Sequence, residues 1–531
     1  MRYLKYCFLP LTLLISTLCS CGHKEDPTPT PTPTPAPKAI TLSGSTIPTT
    51  VPAEGGTYEI TAKTPFVPQV EKPTWVSITN GTLQNYTVTI QVKVDPNTDY
   101  EARTATLTFK ATGATSATLT ISQAAAEKPE PPEPGADGLA SFFGLGWNMG
   151  NHFDAYYNGS WAGEKEGYPD ETCWMPEPHA DYLATQATFD GVKAKGFSSV
   201  RIPVSWLKMI GPAPDYKIDE TWINRVYEVV GYAHNAGLKV IINMHHDENH
   251  GVNNTYQWQD IKNAASNAEL NKQIEDKIKG AWTSIANKFK DCGDDWLMME
   301  GFNEINDGGW GWSEDFKKNP KKQCDILNEW NQVFVDAVRA TGGNNATRWL
   351  GVPSYCANPG FTQYMTIPND PAKKTAVSVH FYDPSDYTIG DKQYSDWGHT
   401  GEAGKKATGS DEDYVKDVFG KLYTNYIAKG TPVYIGEFGC SMRSQSDTRA
   451  WKFYLYYMEY VVKAAKTYSL PCFLWDNNGE GAGKEKHGYI HHGNGNYIGN
   501  SKAVLDVISK AWNTEDEGYT LDFVYSKAPK F

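Results

Sequence analysis

The sequence predicts an α/β chain in which a large (β/α)8 barrel follows a small all-β, immunoglobulin-like sandwich. Two observations carry the barrel. Short apolar runs alternate with long helical stretches over residues 139–515, the texture of parallel β-α units. Polar and ionisable residues also stand at the ends of most of those runs, where a barrel of this kind gathers its working groups. The third observation carries the sandwich: over residues 39–125 the pattern changes to period-2 alternation rich in Thr and Val.

The chain begins with a targeting pattern. Arg2 and Lys5 are followed by an apolar stretch from Phe8 to Leu18, about half the ~20 residues that span a bilayer. It ends in Leu18-Cys19-Ser20-Cys21, which resembles a bacterial lipobox with Cys21 as the lipidated residue; plain signal cleavage is the alternative. Residues 1–21 are thus read as a lipoprotein signal peptide. Residues 22–38 form a tether, because PTPTPTPTPAPK holds an extended polyproline conformation reaching on the order of 35 Å. These features lead us to expect an exported bacterial lipoprotein, attached to the outer membrane by its lipid. The acidic Glu25-Asp26 after the cysteine points it to the cell surface.

In the sandwich segment, runs such as Thr57–Thr61, Tyr86–Ile90 and Ala105–Phe109 are broken by turn residues. A second Pro-rich linker occupies 126–138, and 516–531 reads as a C-terminal tail. Barrel strands are expected at Phe143–Trp147, Ser199–Ile202, Lys239–Asn243, Leu297–Phe302, Arg348–Val352, Ala376–Phe381, Val433–Glu437 and Pro471–Trp475. Several are continuous apolar runs, as strands buried on both faces must be. Helices are expected at Ile218–Ala236, Leu270–Lys290 and Asp447–Thr467. An open doubly wound sheet is the rival, but no Gly-rich phosphate loop follows the first strand.

Composition bounds the function. The 531 residues are 40% hydrophobic and 21% charged, which is globular usage. A formal net charge of -13 argues against nucleic acid and leaves a neutral polymer open. Of nine cysteines, those at 7, 19 and 21 lie in the signal region. The six at 173, 292, 324, 356, 440 and 472 are scattered singly, without metal-ligand spacing, and their pairing is open.

The strand ends collect Arg201, His245-His246, Asn303-Glu304, His380-Phe381-Tyr382, Glu437 and Trp475. Any one of these has a bland reading as a structural hydrogen bonder or cap. Six coincident strand ends do not. Phe302-Asn303-Glu304, Ile435–Gly439, Val379–Tyr382 and Arg201-Ile202-Pro203 resemble the signatures of glycoside hydrolase family 5, in the family's order. Gly146–Asn151 and Glu171-Thr172-Cys173-Trp174 are similar to its endoglucanase and xyloglucanase branch, although Met175–Pro178 departs from the usual Gly-Asn-Pro. The sandwich segment resembles a BACON domain in Gly55-Gly56, Trp75, Glu101–Ala105 and Ile121–Gln123. A passive spacer accounts for that segment as well as sugar binding does.

The resemblance implies a TIM-barrel retaining endo-β-1,4-glucanase acting on a plant cell-wall β-glucan. Glu304 would be the proton donor and Glu437 the nucleophile. Arg201 and Tyr382 would stabilise the ionised Glu437, Asn303 would bond the sugar 2-hydroxyl, and His380 would orient Glu304. His245 would hold Arg201 or a sugar hydroxyl, with Asn151 and His246 also at the substrate. Trp475 would floor the central sugar and Trp397 a neighbouring one. An endo-β-mannanase and a non-catalytic surface glycan-binding protein are the alternatives; the latter would need one of the two Glu lost. No cofactor is expected and a monomer is. A metal at His245-His246-Asp247-Glu248 is disfavoured because adjacent residues on a strand point to opposite faces. A serine hydrolase lacks its Gly-x-Ser-x-Gly elbow.

Overall fold

The computed structural model describes residues 35–97, 101–126, 138–251 and 254–531. Cys21, the signal segment and most of both linkers lie outside the described residues. The chain divides into two compact units, Met1–Glu127 and Lys128–Phe531.

The first unit is a seven-stranded antiparallel sandwich with strands β1 (Thr41–Ser43), β2 (Gly56–Lys63), β3 (Gln69–Glu71), β4 (Val76–Asn80), β5 (Thr87–Val94), β6 (Arg103–Lys110) and β7 (Ala117–Gln123). One sheet has the order β1-β2-β5-β4 and the other β3-β6-β7. Strand β5 shows why: Val88, Ile90, Val92 and Val94 are buried while Thr87, Thr89, Gln91 and Lys93 are exposed. These valines meet Leu107, Phe109 and Ile121 of the facing sheet in one core. Trp75 is half-buried, and the Arg103 guanidinium lies 4.5 Å from its ring centroid, so it is no open platform. Among the described residues of this unit Phe66 is an exposed aromatic, at 59% exposure beside exposed Val67, and the sequence reading overlooked it.

In the second unit eight parallel strands close in chain order. They are β8 (Leu145–Met149), β9 (Ser199–Ile202), β10 (Lys239–Asn243), β11 (Leu297–Glu300), β12 (Leu350–Pro353), β13 (Thr375–Phe381), β14 (Val433–Phe438) and β15 (Cys472–Asp476), and β15 pairs back onto β8. The helices between them carry side-chain N-caps: Asp219 for Glu220–Asn235, Asn267 for Ala268–Lys288 and Asp447 for Thr448–Thr467. Residues 516–531 include a helix, Leu521–Ser526, that buries Leu521 and Val524 and packs on Thr448–Thr467.

Inside the barrel Ile241, Met298, Ala376, Tyr434 and Phe473 form an apolar layer. Leu139 and Phe143 of the helix Gly138–Phe143 pack against it. Alternation then brings the next inward residues, two further along each strand, toward the C-terminal mouth. From β11 this is Glu300, and from β13 they are Ser378 and His380.

On β14 the same alternation would turn Glu437 outward, since Tyr434 and Gly436 face in. It does not. Ile435 pairs with Val379 while Glu437 pairs with His380, so Gly436 is an extra residue in a β-bulge that turns Glu437 into the mouth.

Candidate active site

Glu437 and Glu304 face one another across the barrel mouth. His380 Nδ1 lies 2.7 Å from Glu304 Oε1 and 3.6 Å from Glu437 Oε2. One ligand atom from each of the three residues fits within 4.8 Å of the others, so the two carboxylates approach to that distance or less. Glu437 accepts from Arg201 Nη1 (2.8 Å) through Oε1 and from the Tyr382 hydroxyl (2.9 Å) through Oε2. Both carboxylates are mostly covered, Glu304 with 18% of its side chain exposed and Glu437 with 7%.

Arg201 organises this centre. It is fully buried and donates through Nε to Glu300 (2.7 Å), through Nη1 to Asn148 Oδ1 (3.0 Å) as well as Glu437, and through Nη2 to Asn303 Oδ1 (2.8 Å). Burial works against its charge, and the two facing carboxylates outweigh that, so its pKa rises. Deleting one partner of such a buried pair costs about 3–5 kcal/mol. Because Asn303 Oδ1 is taken by Arg201, its NH2 is left for a ligand.

The electrostatics separate the two acids. Burial, and next the charge of Glu248, push Glu304 up to about 7, so it holds a proton well above the ordinary carboxylate range. Burial also raises Glu437. His380, lowered to about 4 by burial, is neutral at pH 7, which leaves Arg201 as the permanent positive charge beside Glu437.

His245 and His246 correct the expectation of opposite faces. Strand β10 ends at Asn243, so alternation no longer governs them, and their ring centroids lie 4.5 Å apart. With Asp154 they form a set whose ligand atoms lie within 4.8 Å of one another. The donors argue for hydrogen bonds there. Val204 N–H donates to Asn243 Oδ1, which turns the Asn243 NH2 onto His245 Nδ1 (3.1 Å); that nitrogen is an acceptor and Nε2 carries the hydrogen. His246 lies 3.6 Å from Asp154 Oδ2 and 3.4 Å from Glu248 Oε1. These partners override its burial and raise it to about 10, so it carries a proton shared with the two carboxylates. His245 makes no hydrogen bond to Arg201; its ring lies parallel to Trp475, centroids 5.9 Å apart.

Trp475 joins Glu304, His380, Tyr382 and Glu437 in lining a cleft of about 580 Å³. Trp397 does not reach it. That residue is 1% exposed and packs among Tyr456, Tyr457 and Tyr460 on the helix Thr448–Thr467, so no sugar can stack on it. Asn151 sits half-buried in the turn after β8, with φ 55°, and bonds none of the other site residues. The sequence reading missed Trp310 and Trp312, which line the cleft at 47% and 77% exposure. Gly308-Gly309-Trp310-Gly311-Trp312, two tryptophans in a glycine loop four residues beyond Glu304, was the available signal. It also missed Asn148 and Glu300.

Residues 159–481 match the cellulase family, glycosyl hydrolase family 5, over more than half of the chain. The chain belongs to that family. This family 5 glycoside hydrolase also matches the BACON putative binding domain at residues 66–124. It is 34% identical to endoglucanase A of Paenibacillus barcinonensis over 66% of this chain and 84% of the relative. It is 32% identical to a xyloglucan-specific endo-β-1,4-glucanase of Bacteroides ovatus over 73% of this chain and 76% of the relative. Among solved structures, a broad specificity endoglucanase from Bacteroides salanitronis aligns at 46% identity and a TM-score of 0.66, covering 73% of this chain and 98% of that one. The family 5 hydrolase is thus one of the endoglucanase and xyloglucanase group.

Proposed function

We propose that this family 5 hydrolase is a retaining endo-β-1,4-glucanase that cuts a plant cell-wall β-glucan by double displacement, with Glu304 as proton donor and Glu437 as nucleophile. The carrying observation is the approach of the two carboxylates to within 4.8 Å across His380. That spacing supports covalent attack, for which carboxyls ~5–5.5 Å apart are needed, over an inverting water, which needs ~6.5–9.5 Å. Glu304, protonated up to about pH 7, gives its proton to the leaving oxygen as Glu437 attacks the anomeric carbon. Glu304, now a base, then takes a proton from the water that releases the sugar. The Asn303 NH2 is the donor for the 2-hydroxyl. Endo action is supported by exposed aromatic surface along the cleft. Trp310 and Trp312 line the cleft with Glu304, at 47% and 77% exposure. The glucan class is supported by what the relatives named above act on.

Proton NMR of the first products should show the β-anomer; first-formed α-anomer overturns the reading. Glu437→Ala should be inert on every substrate. Glu304→Ala should fail on poor leaving groups yet turn over an activated aryl β-glycoside, with azide trapping a β-glycosyl azide. We also propose attachment through lipid on Cys21 to the outer membrane, facing the cell surface, since the Pro-Thr tether suits a spacer. Cys21→Ala should release the protein from the membrane fraction.

A further inference from the structure

Arg201 bonds two carboxylates, and the proposed reaction uses only Glu437. The other, Glu300, is fully buried on β11 and completely bonded. Its Oε2 accepts from Arg201 Nε at 2.7 Å, while Oε1 accepts from Ser378 Oγ and the Tyr434 hydroxyl, each at 2.7 Å. Packing does not call for a charge here, since Met298, two residues earlier on the same face, sits in the apolar layer. The surroundings are shaped to the carboxylate. A Cβ on Gly351 of β12 would lie 2.2 Å from the Tyr434 hydroxyl, so glycine there leaves room for that hydroxyl to reach Glu300.

We infer that Glu300 is a positioning residue: it divides the charge of Arg201 so that Glu437 stays ionised without being over-stabilised as a nucleophile. The inference rests on reading Glu437 as the nucleophile. One guanidinium stands between two carboxylates, and the three groups together carry one net negative charge. If Glu300 were neutral, the whole guanidinium charge would bear on Glu437, making it a more stable anion and a weaker attacker.

The groups that face this centre are few. Arg201 comes from β9, His245, which burial keeps neutral, from beyond β10, and Glu304 from beyond β11. His380 and Tyr382 come from the end of β13, and Tyr434 from β14. Asn148 and Asn303 fill the remaining bonds of Arg201 without charge. His380 is neutral above about pH 4, and burial keeps both tyrosines protonated. Glu304 keeps its proton below about 7. Arg201 and Glu300 are therefore the standing charges in mild acid, and Glu437, raised by burial, is the group whose titration sets the acid limb.

The test is the pH dependence of inactivation by an activated 2-deoxy-2-fluoro-β-cellobioside, with the label mapped by peptide mass. Wild type should be labelled at Glu437, with a rate that falls below an acid limb. In Glu300→Gln that limb should move down by roughly one pH unit, and the plateau rate should fall about tenfold or more. A residue that only props up Arg201 predicts the reverse, since a loosened Arg201 would let the Glu437 limb rise. An unmoved or raised limb with the label still on Glu437 overturns this inference alone. A wild-type label elsewhere, or none, overturns the nucleophile reading and this inference with it. Should Glu300→Gln not fold, Ser378→Ala keeps the charge and strips one donor from it. The limb should then rise by a few tenths of a unit, and a limb that stays in place counts against the inference.

Discussion

Glu304 holds its proton because it is buried near Glu248, and that has a cost in stability. Its folded pKa of about 7 lies above the ~4.3 of an unfolded glutamate, so ionisation is harder in the folded state. The stability contribution is fully present below pH 4.3 and is lost as pH rises through 7. Glu304→Gln, which cannot ionise, should therefore raise Tm by several degrees at pH 8 and hardly at all at pH 4, as read by calorimetry. Equal shifts at both pH values would show that the side chain is not strained by ionisation. At this scale the sequence was legible where chemistry-bearing residues crowd beyond a strand, as with Asn303-Glu304 and His380–Tyr382. It was silent on Glu300, because a carboxylate inside an apolar run looks like a strand terminus until its partners appear on three other strands. Asn148 was hidden in the same way, inside a motif noticed only for its likeness.

Among the elements, the barrel strands were legible nearly to the residue. Ser199–Ile202 and Lys239–Asn243 have the expected bounds, because runs buried on both faces have no polar alternation to blur them. The bulge at Gly436 was not legible. Strict period-2 reading turns Glu437 away from the mouth, and only the register against β13 reveals the extra residue. Loops were least legible of all: Trp397 sits in one that folds back onto the helix Thr448–Thr467, and nothing local announces this. Close approach of backbone to ring makes a sharper prediction at the end of β8. A Cβ on Gly150 would stand 2.6 Å from the Trp475 indole and 2.9 Å from the Asp476 carbonyl oxygen. Gly150→Ala should thus displace the floor of the cleft and cut kcat/KM on soluble glucan tenfold or more, while unfolding remains cooperative. Activity within twofold of wild type would mean that Trp475 has another place to lie.

At the scale of the whole molecule, the two units have separate cores, and the barrel carries every residue of the proposed chemistry. Removing residues 35–126 should leave turnover on soluble glucan within about twofold. A larger loss there would mean that the sandwich shapes the cleft. A loss confined to insoluble polymer would point to binding by the sandwich, with exposed Phe66 as the first residue to replace. The barrel also carries six cysteines, at 173, 292, 324, 356, 440 and 472, all buried and all unpaired. While the fold is intact they are inert, since burial raises each thiol pKa and thiolates are what react. Once the barrel opens, all six become ordinary thiols free to cross-link in air, and a heated sample will not return to its starting state unless a reductant is present. Durability in an oxidising medium is then governed by how slowly the barrel first opens, a rate rather than an equilibrium.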